Sequence, residues 1–296
     1  MDCETIPGLA QAASLARSAR RVVVLSGAGL SAESGVPTFR EAQTGLWERY
    51  SPEQLATEDA FRADPELVWA WYRWRARLIR SCTPNAGHRT VAAWQRRLSG
   101  TPEASGHGQG HDAGPPGPRG WLTIATQNVD DLQERAGAAV AAHLHGSLFD
   151  YRCADCGEPA EHDPGTAAED AAEGAARSEP DLESLLRIAP PRCMGCEGML
   201  RPGIVWFGEM LPADALADTL AALEDCDLAV VVGTSATVQP AASLPYAALG
   251  AGAAVVEVNP ETTDFSTAAT VSVRGAAGQV LPALAPAYDG HHGPSR

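Results

Sequence analysis

The stretch "VVVLSGAGLSAESGVPTFRE", residues 22–41, decides the fold. Its apolar run, Val22 to Leu25, reads as a strand buried on both faces and ends in Gly27-Ala28-Gly29. Glycines at a strand end let backbone approach a pyrophosphate, and free backbone N–H groups there bind its charge. A dehydrogenase-type unit would now run a long amphipathic helix into a second strand ending in an acidic residue. This chain gives small polar residues, Gly35 and Pro37, and "TGLWERYSPEQ" (44–54) carries no strand pattern. A hydride-transferring Rossmann enzyme is therefore disfavoured.

Working outward, three more β-branched or apolar runs end in polar turns. They are "WLTIATQNVDDL" from Trp121, "LAVVVGTSATVQP" from Leu228, and "AAVVEVNPE" from Ala253. A short strand closes on "HLHG" (143–146). Helices are expected over 8–20, from Pro65 to about residue 80, and over 85–98 with Asn85 near the cap. In the middle helix Leu67, Val68, Trp71, Trp74 and Leu78 recur at helical spacing. The Gly-, Pro- and His-rich segment 99–119 reads as a flexible loop. Alternating strands and helices predict an α/β fold, a Rossmann-like open parallel sheet, and the paired cysteines Cys153, Cys156, Cys193 and Cys196 between them predict a small inserted zinc-binding module. The expected boundaries are 1–150 and 203–296 for the Rossmann-like domain and 151–202 for the insert. Part of the helical segment 40–90 joins the small domain. The ligand site should lie at the carboxyl ends of the strands.

The chain has 296 residues and a formal net charge of −15, which argues against intrinsic affinity for nucleic acid or anionic membrane. No apolar run reaches membrane length and the first residues lack a secretion pattern, so a cytoplasmic protein is expected. Seven cysteines are present. Four form "CADC" (Cys153, Cys156) and "CMGC" (Cys193, Cys196), spaced as a structural four-thiolate zinc site. Four thiolates fill a tetrahedron, so such a zinc would not do chemistry.

"TQNVDD" (126–131) sets Gln127, Asn128 and Asp130 past a buried strand, more polar groups than one helix cap requires. His143 and His145 stand at i and i+2 and would share one side of a strand. Spacing alone leaves open whether either is a base or both are structural. Thr234 and Ser235 could bond phosphate or ribose, and Asn259 and Glu261 the adenosine end. Singly, each is an ordinary strand-end turn.

Together "GAGLSAESGVPTFRE", "TQNVDD", "HLHG", the paired cysteines, "GIVWFGEMLP" (203–212), "GTSATVQP" (233–240) and "VNPE" (258–261) resemble the sirtuins, NAD-dependent protein-lysine deacylases, in the family's order. The resemblance spans roughly residues 15–285. It implies that Gly27, Ala28, Gly29, Ser31, Phe39 and Arg40 line the cofactor site. Gln127, Asn128 and Asp130 would hold ribose and nicotinamide, with Asn128 and His145 catalytic. Gly233, Thr234, Ser235, Asn259 and Glu261 would meet the adenosine side, with Ala277 the last, backbone contact. His145, not His143, matches the base that accepts a ribose hydroxyl proton. The implied products are free lysine, nicotinamide and O-acyl-ADP-ribose.

The segment Gly203–Phe207, with Val205 and Phe207, would pair with substrate backbone as an added strand. Tyr72 and Arg75 share a helix face in "WAWYRWRAR" (69–77) and match the Tyr-x-x-Arg of class III sirtuins. That class removes malonyl, succinyl or glutaryl groups, and Ala56 matches its small pocket residue. The expected partners are acylated protein lysines, with a monomeric enzyme. A plain deacetylase, a mono-ADP-ribosyltransferase and a non-catalytic NAD-responsive binding module are the alternatives.

Overall fold

The computed structural model describes residues 6–38, 50–100, 120–160 and 187–285. Most of the 99–119 segment and of the acidic filler between the cysteine pairs lies outside them, as do Phe39 and Arg40.

Six parallel strands form the main sheet: β1 (Arg21–Ser26), β2 (Trp121–Thr126), β3 (Ala142–His143), β7 (Leu228–Val232), β8 (Ala254–Asn259) and β9 (Val271–Arg274). Their spatial order is β3-β2-β1-β7-β8-β9. A second sheet is antiparallel, with β4 (Gly146–Cys153) between β5 (Pro159–Ala160) and β6 (Leu200–Ile204).

The β-branched runs form the centre of the main sheet because both its faces are covered. Val22 and Val24 pack on one side with Leu9, Ala12 and Val91; Val23 and Leu25 pack on the other with Leu223 and Leu244. The first side is closed by α1 (Leu9–Ser18), α6 (Ala86–Ser99) and α10 (Ala277–Leu284). The second is closed by α8 (Ala213–Asp225) and α9 (Leu244–Gly250). Strand order reverses between β1 and β7, the place where an open α/β sheet leaves a crevice at its strand ends.

The remaining helices are α2 (Gly29–Ala32), α3 (Pro52–Leu55), α4 (Glu58–Ala63), α5 (Pro65–Ser81) and α7 (Leu132–Arg135). Helix α5 starts where the Asp64 side chain accepts the Leu67 N–H at 3.2 Å and Pro65 takes the first helical position. Its apolar stripe differs from the one its periodicity predicts. Trp74 and Leu78 are only half-buried, whereas Trp69, Tyr72 and Arg73 are buried. The cause is the second sheet. Tyr151 on β4 packs on Trp69 with ring centroids 5.6 Å apart and accepts the Arg73 guanidinium at 3.0 Å. Helix α5 is thus covered on more sides than one amphipathic stripe allows.

Candidate active site and thiolate cluster

The loops after β1 and β7 are locked together. Gly27 N–H donates to Val232 O at 2.9 Å, and Gly29 N–H to Gly233 O at 2.8 Å. A Cβ on Gly29 would lie 2.6 Å from Gly233 Cα; one on Gly233, whose φ is +64°, would lie 2.4 Å from Leu30 N. These glycines therefore serve loop-on-loop packing. The Gly27 and Gly29 N–H groups are thus bonded inside the protein. The Ala28 N–H, just ahead of α2, has no partner among the described residues.

Around this junction the polar groups converge. Asn128 Nδ2 donates to Ser31 Oγ at 3.1 Å, and Asn128 N–H to Thr126 Oγ1 at 3.0 Å. Asp130 is buried; burial pushes its carboxyl up, opposed by hydrogen bonds from Ser31 and the Leu132 N–H. Thr234 Oγ1 lies 3.4 Å from Gln127 Oε1, and Asn259 Nδ2 donates to Thr234 O at 2.9 Å. Ser235 Oγ and Thr237 Oγ1 are 2.9 Å apart. Glu261 is exposed beyond Asn259, whose Oδ1 accepts its N–H at 3.1 Å. Ala277 is buried at the start of α10. The Ala28 N–H together with the hydroxyls, amides and carboxyls of these residues forms, along one strand-end crevice, a donor and acceptor set suited to phosphate and ribose hydroxyls.

His88 belongs to none of the motifs above. It is fully buried on α6, with Nε2 3.3 Å from Ser31 Oγ and Nδ1 accepting the Asn85 N–H at 3.2 Å. Burial drops its pKa to about 4, so it stays neutral. The signal was the Asn85-to-His88 spacing, in which a histidine replaces the Glu or Gln of a capping box.

His143 and His145 do not share a strand. β3 ends at His143 and β4 begins at Gly146, so His145 sits in the turn between sheets. His143 Nε2 is 2.7 Å from Glu134 Oε1, and that hydrogen bond raises its pKa. His145 is half-buried, with Nδ1 3.0 Å from Gln127 O. A carbonyl oxygen only accepts, so Nδ1 carries the proton and Nε2 keeps its lone pair. Burial lowers the His145 pKa, outweighing the Gln127 carbonyl.

Tyr72 and Arg75 lie one turn apart on α5. Tyr72 is buried, and its oxygen accepts the Trp206 indole N–H at 2.9 Å. The half-buried Arg75 guanidinium sits 5.1 Å from the Trp71 ring centroid. It feels Tyr72 and Asp130 electrostatically, yet has no ion-pair partner among the described residues. Burial lowers its pKa. Ala56 is buried, and its carbonyl accepts the Phe207 N–H at 2.9 Å. The Val205 N–H donates to His145 O at 2.8 Å. Along the expected substrate-pairing segment these two N–H groups are therefore already bonded internally, while Phe207 remains 45% exposed.

The sulfurs of Cys153, Cys156, Cys193 and Cys196 all lie within 4.8 Å of one another. Cys153 and Cys196 are 3.4 Å apart, Cys156 and Cys193 3.8 Å. A tetrahedral zinc with arms of about 2.3 Å puts its sulfurs about 3.8 Å apart. The four cysteines are therefore positioned to bind a structural zinc. Backbone N–H groups of Asp155 and Cys156 point at Cys153 Sγ, and that of Gly195 at Cys193 Sγ, the donors a charged thiolate needs. Treating the protein with a strong zinc chelator should lower its melting temperature by more than about 5 °C, because metal binding free energy here is folding free energy. An unchanged melting temperature, with zinc demonstrably removed, would show the cluster carries no metal-linked stability.

Comparison with known proteins agrees with this arrangement. The model of the Sir2 family matches residues 27–101 and 119–240. An NAD-dependent protein deacylase of Mycolicibacterium paratuberculosis is 48% identical over 264 residues, 89% of this chain and 96% of that protein. One from Corynebacterium glutamicum is 42% identical over 273 residues, 92% and 93% of the two chains. A crystal structure of a Sir2 homolog–NAD complex superposes with a TM-score of 0.73 at 39% identity, covering 93% of this chain and 92% of that one. No helix among the described residues is long and apolar enough to cross a membrane.

Proposed function

The chain belongs to the Sir2 family, and on that premise we propose that it is an NAD-dependent protein-lysine deacylase whose acyl pocket favours acidic groups. When bound, NAD supplies a ribose carbon that gives up nicotinamide and a hydroxyl that carries the acyl group away. The Ala28 N–H, Ser31, Gln127, Asn128 and Asp130 would hold its ribose and phosphate side. Thr234, Ser235, Asn259, Glu261 and the Ala277 backbone would hold the adenosine side. Phe39 and Arg40, expected to line the cofactor site, lie outside the described residues. His145 would take the hydroxyl proton at Nε2, which its Nδ1 contact with Gln127 O leaves free. Asn128, tied to Ser31, would orient the ribose.

The acyl preference rests on one observation. Arg75 is a half-buried cation with no carboxylate partner among the described residues, one turn from the Tyr72 hydroxyl. Burial of an unpaired charge is costly, and an anionic ligand group relieves that cost. A succinyl, malonyl or glutaryl carboxylate supplies the missing charge; an acetyl group does not. Ala56 leaves the pocket wide, and an extended substrate backbone would run past Val205 and Phe207.

The deciding assay follows one peptide carrying acetyl-lysine or succinyl-lysine by mass spectrometry, with and without NAD. Faster removal of succinyl, only with NAD, is the expected result. Removal of acetyl alone would leave the deacylase and sink the carboxylate clamp.

A further inference from the structure

Beyond the pocket itself, we infer that the Arg201–Glu209 ion pair, acting through Trp206, is a positioning device that sets the Tyr72 hydroxyl for acidic acyl groups. The inference rests on the acyl-pocket reading above and concerns residues that do not themselves touch the acyl group.

The contacts form an unbroken chain. Glu209 receives both terminal nitrogens of Arg201: Nη1 on Oε1, and Nη2 on Oε2 at 3.0 Å. Its Oε2 also accepts the Trp206 backbone N–H at 2.8 Å and Arg152 Nη2 at 3.3 Å. Arg201 lies over the indole face of Trp206, with its guanidinium carbon 3.3 Å from the ring centroid. One ion pair therefore fixes Trp206 twice, at its backbone and at its ring. Arg201 is buried and its Nε has no acceptor among the described residues, so it is held by Glu209, the Ile204 carbonyl at 3.0 Å and the indole face.

Trp206 then acts on Tyr72. The two rings lie nearly parallel, at 27°, with centroids 6.4 Å apart, and the indole N–H meets the phenol oxygen. A phenol has one O–H and acceptor lone pairs. With a lone pair bound to Trp206, the Tyr72 hydrogen is turned away from the indole and left to donate. Phe61, packed 5.3 Å from Trp206, keeps the indole from sliding. Buried polar chains of this kind hold a unique geometry because each break strands a donor or acceptor.

The arrangement has a consequence for specificity. An acetyl group ends in a methyl and asks nothing of the Tyr72 hydrogen. An acidic acyl group ends in an acceptor-only carboxylate that uses it together with Arg75. Loosening the chain should therefore weaken succinyl recognition and spare acetyl.

The test measures kcat and KM for succinyl- and acetyl-lysine forms of one peptide in wild type, Trp206→Phe and Glu209→Gln. The wild-type succinyl-to-acetyl ratio tests the acyl-pocket reading by itself; the change of that ratio in the variants tests the positioning chain. Trp206→Phe removes the indole N–H that meets Tyr72 and keeps an aromatic face under Arg201. It should raise the succinyl KM about fivefold more than the acetyl KM, the value of one ordinary hydrogen bond. Folded Glu209→Gln should shift the ratio in the same direction. Equal losses on both acyl groups in Trp206→Phe, or an unchanged ratio there, would overturn the chain. A selective Trp206→Phe beside an unselective, folded Glu209→Gln would remove the ion pair from it.

Discussion

His145→Ala should lower deacylation at least about 100-fold while NAD still binds, since a positioned general base contributes on the order of 10²–10⁴ in rate. The reason lies in how the ring is held. Nδ1–H is tied to the Gln127 carbonyl, so the basic nitrogen is fixed as Nε2 and the ring cannot swing. Burial lowers the pKa from the ordinary value of 6.5, which keeps the ring in its neutral, proton-accepting form at pH 7. The acid limb of kcat/KM against pH, where it reports this base, should accordingly fall below 6.5. NAD affinity, measured calorimetrically, should change little, because the residues expected to grip the dinucleotide lie on other loops. His143→Ala supplies the contrast. That ring is engaged with Glu134 at its Nε2, and its loss should leave most activity. Full activity in His145→Ala, or a comparable collapse in His143→Ala, would reassign the base.

What the amino-acid sequence discloses follows from which forces act locally. Strands β1, β7 and β8 were legible because a strand buried on both faces needs consecutive apolar residues, and Leu228–Val232 is buried throughout. The cysteine pairs were legible because metal ligands on tight knuckles leave a fixed spacing. The role of Gly27, Gly29 and Gly233 was not. A glycine required by another loop reads the same as one required by a phosphate, and the 2.6 Å and 2.4 Å Cβ approaches reveal the first requirement without bearing on the second. His143 and His145 were misread as neighbours on one strand because the chain leaves the main sheet between them. Glu257 gave no warning at all. It sits inside the β8 run, and a glutamate is ordinarily exposed to solvent. It is instead 2% exposed, bonded by Ser266 and Ser272 hydroxyls and paired with Arg274 at 3.0 Å. Those partners come from later in the chain, and no local pattern announces them.

Arg75→Met should lower kcat/KM for succinyl-lysine about 100-fold and that for acetyl-lysine by no more than a few-fold. Truncating one partner of a desolvated, hydrogen-bonded charge pair costs roughly 2–5 kcal/mol, and 1.4 kcal/mol is a factor of ten. Methionine keeps an unbranched stem to pack on Trp71 and removes only the charge and its donors. The direction of the stability change separates function from structure. Without ligand, Arg75 is a half-buried cation with no ion-pair partner among the described residues, and burial already lowers its pKa. Removing it relieves a desolvation cost, so the melting temperature of Arg75→Met should stay level or rise. A residue kept at a cost to the free protein is kept for what it binds. Were Arg75 a structural residue, the opposite pattern would appear: a lower melting temperature, with succinyl and acetyl removal falling together. Tyr72→Phe should fall between, since it removes one neutral donor and leaves the cation. Selective loss of succinyl removal in both variants, larger for Arg75→Met and in that variant without loss of stability, is the result a carboxylate clamp requires.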